Sequence, residues 1–156
     1  MSFALKAWNN LKGNVAGRWL FSRFVCFKAP YFASISPLFE RLEAGLAEVS
    51  LKKRRKVTNH IGTVHAIAMA NLCEIAAGTM MEASIPSSMR WIPKGMTIQY
   101  LAKAATSIRA KAVLPDVEYG EAQDVIVPVT VVDTGGTEVV HADITMYVSP
   151  KQGSNR

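Results

Sequence analysis

Cysteine is nearly absent: Cys26 and Cys73 are the only two in 156 residues, and their spacing matches no metal-ligand pattern. A disulfide-stapled secreted scaffold is excluded, and two reduced, buried thiols in a cytoplasmic protein are expected, with no metal site. Long hydrophobic runs are missing as well. No apolar stretch reaches the ~18 residues needed to span a bilayer. The nearest, "WLFSRFVCF", is interrupted by Arg23, and no small-residue cleavage site follows it, so no signal peptide is read. Charged residues are sparse at 19% against 49% hydrophobic, a balance that excludes a disordered chain. The length suits one domain with a real core. There is no internal repeat and no interdomain linker.

What charge there is leans one way. The net charge of +6 favours an anionic partner without naming it. Much of it sits in "LKKRRK", Leu51 to Lys56, read either as a solvated strand end or as a site for a phosphorylated ligand. Nucleic acid is not expected as a partner, because no recognised module or set of stacking aromatics accompanies the basic run.

Periodicity gives the architecture. Phe3, Trp8, Leu11, Val15, Trp19 and Val25 recur at helical intervals with basic residues between them, so residues 1–30 read as helix, split at Gly13 and ended by Pro30. Such a segment docks its apolar face on its own domain or on a partner subunit; lying on a membrane surface is the secondary reading. Strands are predicted near Phe32–Leu42, with a break at Pro37, and Leu46–Lys53. A small-residue helix follows over about Thr63–Met81. Alternation then takes over. Ile98, Tyr100 and Ala102 share one strand face, and Ile108, Ala110, Ala112 and Leu114 another. Val125–Val131 and Val140–Val148 form an antiparallel hairpin through the "DTGG" turn. The tail from residue 150 has turn formers and no apolar residue, and is expected to fray. The class is α+β: one long helix among five or six mostly antiparallel strands.

The chemistry concentrates in "TNHIGTVHAIAMANLCEIAAGTMM", Thr58 to Met81. Thr63 is the predicted N-cap, its hydroxyl accepting from an otherwise unpaired amide. The first-turn N–H groups and the positive end of the helix dipole suit a polarised carbonyl. The helix body carries many small residues (Ala66, Ala68, Ala70, Ala76, Ala77 and Gly78), which makes Glu74 conspicuous: it is either on a solvated stripe or a partly buried working carboxylate. His65 and Glu74 are nine positions apart, roughly 2.5 turns and about 13 Å of rise, so they cannot meet within one helix. A two-fold dimer with antiparallel helices would bring Glu74 to the other chain's helix start, twice. His60 reads as a solvated loop residue, and His141 with Asp143 as surface or dimer contacts.

These residues resemble the hotdog-fold acyl-CoA thioesterases of the phenylacetate-pathway type, whose pattern is Asn, His-Gly-Gly and then Asp or Glu on the central helix. Here it reads Asn59, His65-Ala66-Ile67 and Glu74 with both spacings kept. The "NHIGTVHA" form is most similar to a less characterised thioesterase subfamily. The resemblance covers about Tyr31 to Val148. It implies a hotdog domain at 31–149, with the helical extension at 1–30 outside its core and the frayed tail at 150–156 after it.

The activity it implies is hydrolysis of an acyl thioester at a dimer-interface site. Glu74 would be the nucleophile or the base that activates water, and the Ala66 N–H would polarise the carbonyl. Asn59 would orient substrate or water, and His65 would position the helix start. Gly62 and Thr63 would contact substrate, Lys53, Arg54 and Arg55 would meet coenzyme A phosphates, and Met80 and Met81 would line an adaptable acyl pocket or take the commoner role of ordinary core. Ala66-Ile67 narrows access relative to Gly-Gly but keeps the donor. The expected partners are an acyl-CoA or acyl-carrier-protein thioester and a second copy of the chain, with a tetramer of two dimers equally open. No cofactor is implied beyond the coenzyme A of the substrate. The competing functional reading is a non-catalytic hotdog that binds acyl thioesters as sensor or carrier.

Overall fold

The computed structural model describes residues 2–151. Two short helices open the chain, α1 (Phe3–Leu11) and α2 (Val15–Lys28). Each begins at a side-chain cap: Ser2 Oγ accepts from Leu5 N–H, and Asn14 Oδ1 from Gly17 N–H at 2.8 Å. Gly17 has no alternative, since a Cβ there would lie 1.9 Å from the Leu11 carbonyl oxygen. Pro30 ends α2 by seeding a 3-10 turn, Pro30–Ser34.

The strand expected from Phe32 therefore starts later, as β1 (Leu38–Glu43), because Phe32 lies in that turn and Pro37 has no N–H to give a ladder. β2 (Leu46–Leu51) follows, then a 3-10 turn, Arg55–Val57. The long helix α3 (Ala66–Ser84) has 19 residues. It starts and ends three residues later than expected. It stops before Pro86, whose ring forces Ile85 into extended backbone at φ −69°, ψ 148°. Four strands complete the fold: β3 (Met89–Tyr100), β4 (Ile108–Val113), β5 (Gln123–Asp133) and β6 (Glu138–Pro150).

All six strands form one antiparallel sheet in the order β1-β2-β4-β5-β6-β3. The alternation read from the sequence holds on β5 and β6: Val127, Val129, Val131, Val140, Ala142 and Met146 are wholly buried. Asp133 Oδ1 organises their turn by accepting from the N–H groups of Gly135 and Thr137, both at 2.9 Å. α3 lies across this inner face and buries Leu72, Cys73, Ile75, Ala76 and Ala77 in it. A single long helix wrapped by one antiparallel sheet, with a helical N-terminal segment, is a hotdog fold.

β3 begins nine residues before the expected Ile98 and ends before Ala102. Pro93 and Gly95 hid its first half; they sit at a bulge on a strand with one free edge, where a missing ladder donor costs little. The N-terminal helices dock on their own domain. Trp8, Phe21 and Phe39 stack edge to face, with Phe21 5.2 Å from Trp8 and 5.1 Å from Phe39 between ring centroids. Ser22 Oγ accepts the Phe39 N–H at 2.9 Å, and Arg18 pairs with Glu40 at 2.7 Å. Pro150 still belongs to β6, and the Lys151 N–H donates to the Ser88 carbonyl. The rest of the expected frayed tail lies outside the described residues. Among those residues, no helix is long and apolar enough to cross a membrane.

Candidate functional site

The loop from Lys52 to His65 sets the start of α3. Asn59 is its organiser. Asn59 Oδ1 accepts from Ile61 N–H and Thr63 N–H, each at 3.1 Å, and its Nδ2 donates to Thr63 Oγ1 at 2.8 Å. The Thr63 hydroxyl is therefore used within the loop, so the predicted Thr63 cap is replaced by His65. His65 Nδ1 accepts the Ile67 N–H at 3.1 Å, while its own N–H donates to Val57 O at 2.8 Å. The imidazole thus caps the start of α3. Gly62 turns the loop at φ +78°, open to solvent.

Directly after the cap, the Ala66 N–H has no acceptor among the described residues. The Ala66 carbonyl accepts from Tyr100 Oη at 3.3 Å, which ties the end of β3 to the start of α3. Further along α3, Glu74 is half-buried, and its carboxylate has no hydrogen bond or ion pair among the described residues. It lines an apolar cleft of about 470 Å³ between α3, the N-terminal helices and β3.

Gly78 and Trp91 shape one wall of that cleft. A Cβ on Gly78 would come within 2.9 Å of the Trp91 ring, so only glycine lets the outer edge of the indole approach the helix this closely. The indole N–H donates to Glu82 at 3.1 Å and holds the ring there. The opposite wall is Phe24, Val25 and Phe32. A second, smaller cleft of about 180 Å³ sits at the start of α3, with Lys56, His65, Ile67 and Asn71 on its walls. Ile67, Asn71, Glu74, Gly78 and Glu82 succeed one another at helical steps, so both clefts lie along one face of α3.

Asn71 was not anticipated. It is 6% exposed, donates from Nδ2 to Ser34 Oγ at 3.2 Å, and leaves Oδ1 buried without a partner. An unpaired buried amide oxygen is costly and invites an external donor. Its only trace in the sequence was an Asn in the body of a largely apolar helix.

Other expected residues are arranged differently. Met80 and Met81 are wholly buried and face the core; Ile75, Gly78 and Thr79 line the cleft in their stead. Lys53 Nζ donates to Ala105 O, and Arg54 to Ser34 O and Ser36 Oγ, so both brace loops. Arg55 and Lys56 are exposed. Both cysteines are free and buried, and burial pushes the Cys73 thiol up to about 12, which makes it inert. His141 is flanked by Glu138 at 3.4 Å and Asp143 at 3.6 Å on a half-exposed strand face.

The fold and the two clefts define a hotdog protein with a carboxylate-bearing groove. Residues 17–148 match a family described as a domain of unknown function, DUF4442, and the chain belongs to that family. The match begins inside α2, so part of the N-terminal helical segment is included. No curated protein matches the chain. Among solved structures, the structural-genomics target APC5556 is 46% identical with TM-score 0.84, covering 95% of this chain and 98% of that one. A probable thioesterase of unknown function from Pseudomonas aeruginosa is 21% identical with TM-score 0.75, covering 83% and 93%. A thioesterase from Haemophilus influenzae is 8% identical with TM-score 0.70, covering 81% and 87%.

Proposed function

We propose that the protein hydrolyses an acyl thioester, with coenzyme A or an acyl-carrier protein as the thiol, at a site shared between two copies of the chain. The observation that carries this reading is Glu74: a half-buried carboxylate with no partner among the described residues, opening into an apolar cleft on the central helix. In the reaction, water attacks the thioester carbonyl carbon while Glu74 takes its proton. The C–S bond then breaks, and the leaving thiolate recovers that proton. The alternative role keeps Glu74 as the attacking nucleophile, with water resolving the acyl intermediate. The Ala66 N–H, free of any acceptor among the described residues, serves the carbonyl oxygen. Arg55 and Lys56, exposed near the helix start, suit an anionic carrier.

Strand geometry supports a dimer. β3 borders the sheet and runs beside α3, with Trp91 against Gly78 and Tyr100 against Ala66. Antiparallel pairing of two β3 strands about a two-fold axis would carry Ala66 of a second copy toward Trp91, and so toward Glu74 of the first. The free edge offers exposed Ile92 and Tyr100 to such a contact. Light scattering at micromolar concentration should give twice the 17.0 kDa chain mass; a stable monomer would count against the shared site.

A second reading is favoured by the Ala66-Ile67 pair, with Ile67 58% exposed across the helix start, and by the full commitment of Asn59 to its own loop. In that reading the groove holds acyl thioesters without turning them over. Thiol release from acyl-CoAs of increasing chain length separates the two. Turnover supports the hydrolase, and silence on every acyl-CoA leaves the binding module.

A further inference from the structure

We infer that the cleft between the N-terminal helices, α3 and β3 holds the linear hydrocarbon tail of the acyl group, so that α2 sets the chain length accepted. This rests on the thioester reading, since the tail is located from Glu74. Phe24, Val25 and Phe32 form one side, and Ile75, Gly78 and Trp91 the other. Besides Glu74, the polar groups on these walls are Thr79, Lys28, whose ammonium lies 5.9 Å from the Phe24 ring centroid, and Glu82, which the Trp91 indole engages. Between Phe24, Phe32 and Ile75, a hydroxyl or charged group on the acyl chain would carry a desolvation cost that a plain hydrocarbon avoids.

Glu74 shares this wall, so a thioester whose carbonyl lies at that carboxylate directs its acyl group into the apolar space beside it. Size supports the same occupant. A volume of about 470 Å³ lies in the range of small-molecule sites. At roughly 30 Å³ per water-sized group it bounds the tail at about fifteen carbons. The wall is also fixed before any ligand arrives, because Gly78 and Glu82 hold Trp91 against α3. A preformed apolar slot needs little reordering on binding.

The test uses S-alkyl thioethers of coenzyme A, which present a tail but cannot be hydrolysed, titrated into the full chain by calorimetry. Affinity should rise roughly twofold to fourfold per methylene and then level off. Ala4 lines the cleft from α1; Ala4→Trp should bring the plateau several carbons earlier, and Phe24→Ala should move it later. Ala16→Trp, on the exposed side of α2, is the control and should leave the profile alone. Circular dichroism confirms that each variant is folded. Affinity independent of tail length, no binding at all, or an Ala4→Trp profile coinciding with the unaltered protein overturns the inference. Because no thioester is cleaved in this series, a protein without hydrolase activity can still show the length dependence, and an active hydrolase can still lack it.

Discussion

Glu74→Gln should lower thiol release from an acyl-CoA by at least ~100-fold, the loss typical of removing a catalytic acid–base group. The substitution keeps size and removes charge from a side chain that pairs with nothing among the described residues. Unfolding free energy should therefore move by no more than about 0.5 kcal/mol. Unchanged turnover would refute the assignment. The donor side has an equally clean probe. Ala66 is the first residue of α3 and His65 before it is already extended, at φ −66°, ψ 138°. Proline is well tolerated at such a position and is compatible with the residue before it. Ala66→Pro thus deletes one N–H and spares the helix, and it should lower kcat by roughly 10²–10³-fold. Mixing the two variants then distinguishes the architectures. If Glu74 and the Ala66 N–H act from different chains, a dimer of Glu74→Gln with Ala66→Pro contains one intact site and one doubly damaged site. Activity should return on subunit exchange. If both groups act from one chain, the mixture stays as inactive as its parts.

How much of this was open to reading from the sequence depended on whether local pattern and tertiary setting agreed. On β5 and β6 they agreed: one face of each strand is buried, alternation was unbroken, and the Asp133 turn was recognisable. α3 was visible as a helix because Ala, Leu, Ile and Met crowd it, but its start was misplaced by three residues. Thr63 is a sound cap in isolation, and only the hydrogen bonds from Asn59 take its hydroxyl away from that role. β3 was half missed because it is a sheet edge, where Pro93 and Gly95 are tolerated and the alternation is weak. Glu74 was legible through its contrast with an Ala-rich helix. Asn71 was not, because what marks it is an unpaired oxygen that no sequence displays. Of the two readings of the methionines, pocket lining or ordinary core, burial favours the core. Met80 and Met81 differ from Gly78 by one turn or less, and only the orientation of α3 against the sheet decides which side faces the cleft.

The same distinction between local pattern and tertiary setting governs the N-terminal helices, whose basic, apolar sequence also suits a membrane surface. Phe21 is wholly buried between Trp8 and Phe39, while Phe27, six positions on in the same helix, is 80% exposed. Phe21→Ala should cost about 3–5 kcal/mol, because it removes a ring from a packed aromatic cluster and leaves a void. That is a large part of the 5–15 kcal/mol typical of a whole domain. At a few degrees per kcal/mol for a chain of this size, the unfolding midpoint should fall by roughly 10 °C. Phe27→Ala should change stability by no more than about 0.5 kcal/mol. The pair separates two descriptions of the same segment. If α1 and α2 are an independent appendage, neither substitution moves the main cooperative transition. If they are part of the core, only Phe21→Ala moves it. The second outcome is expected, since the Ser22 hydroxyl bonded to the Phe39 N–H joins α2 to the first strand of the sheet at the point where that ring enters the core.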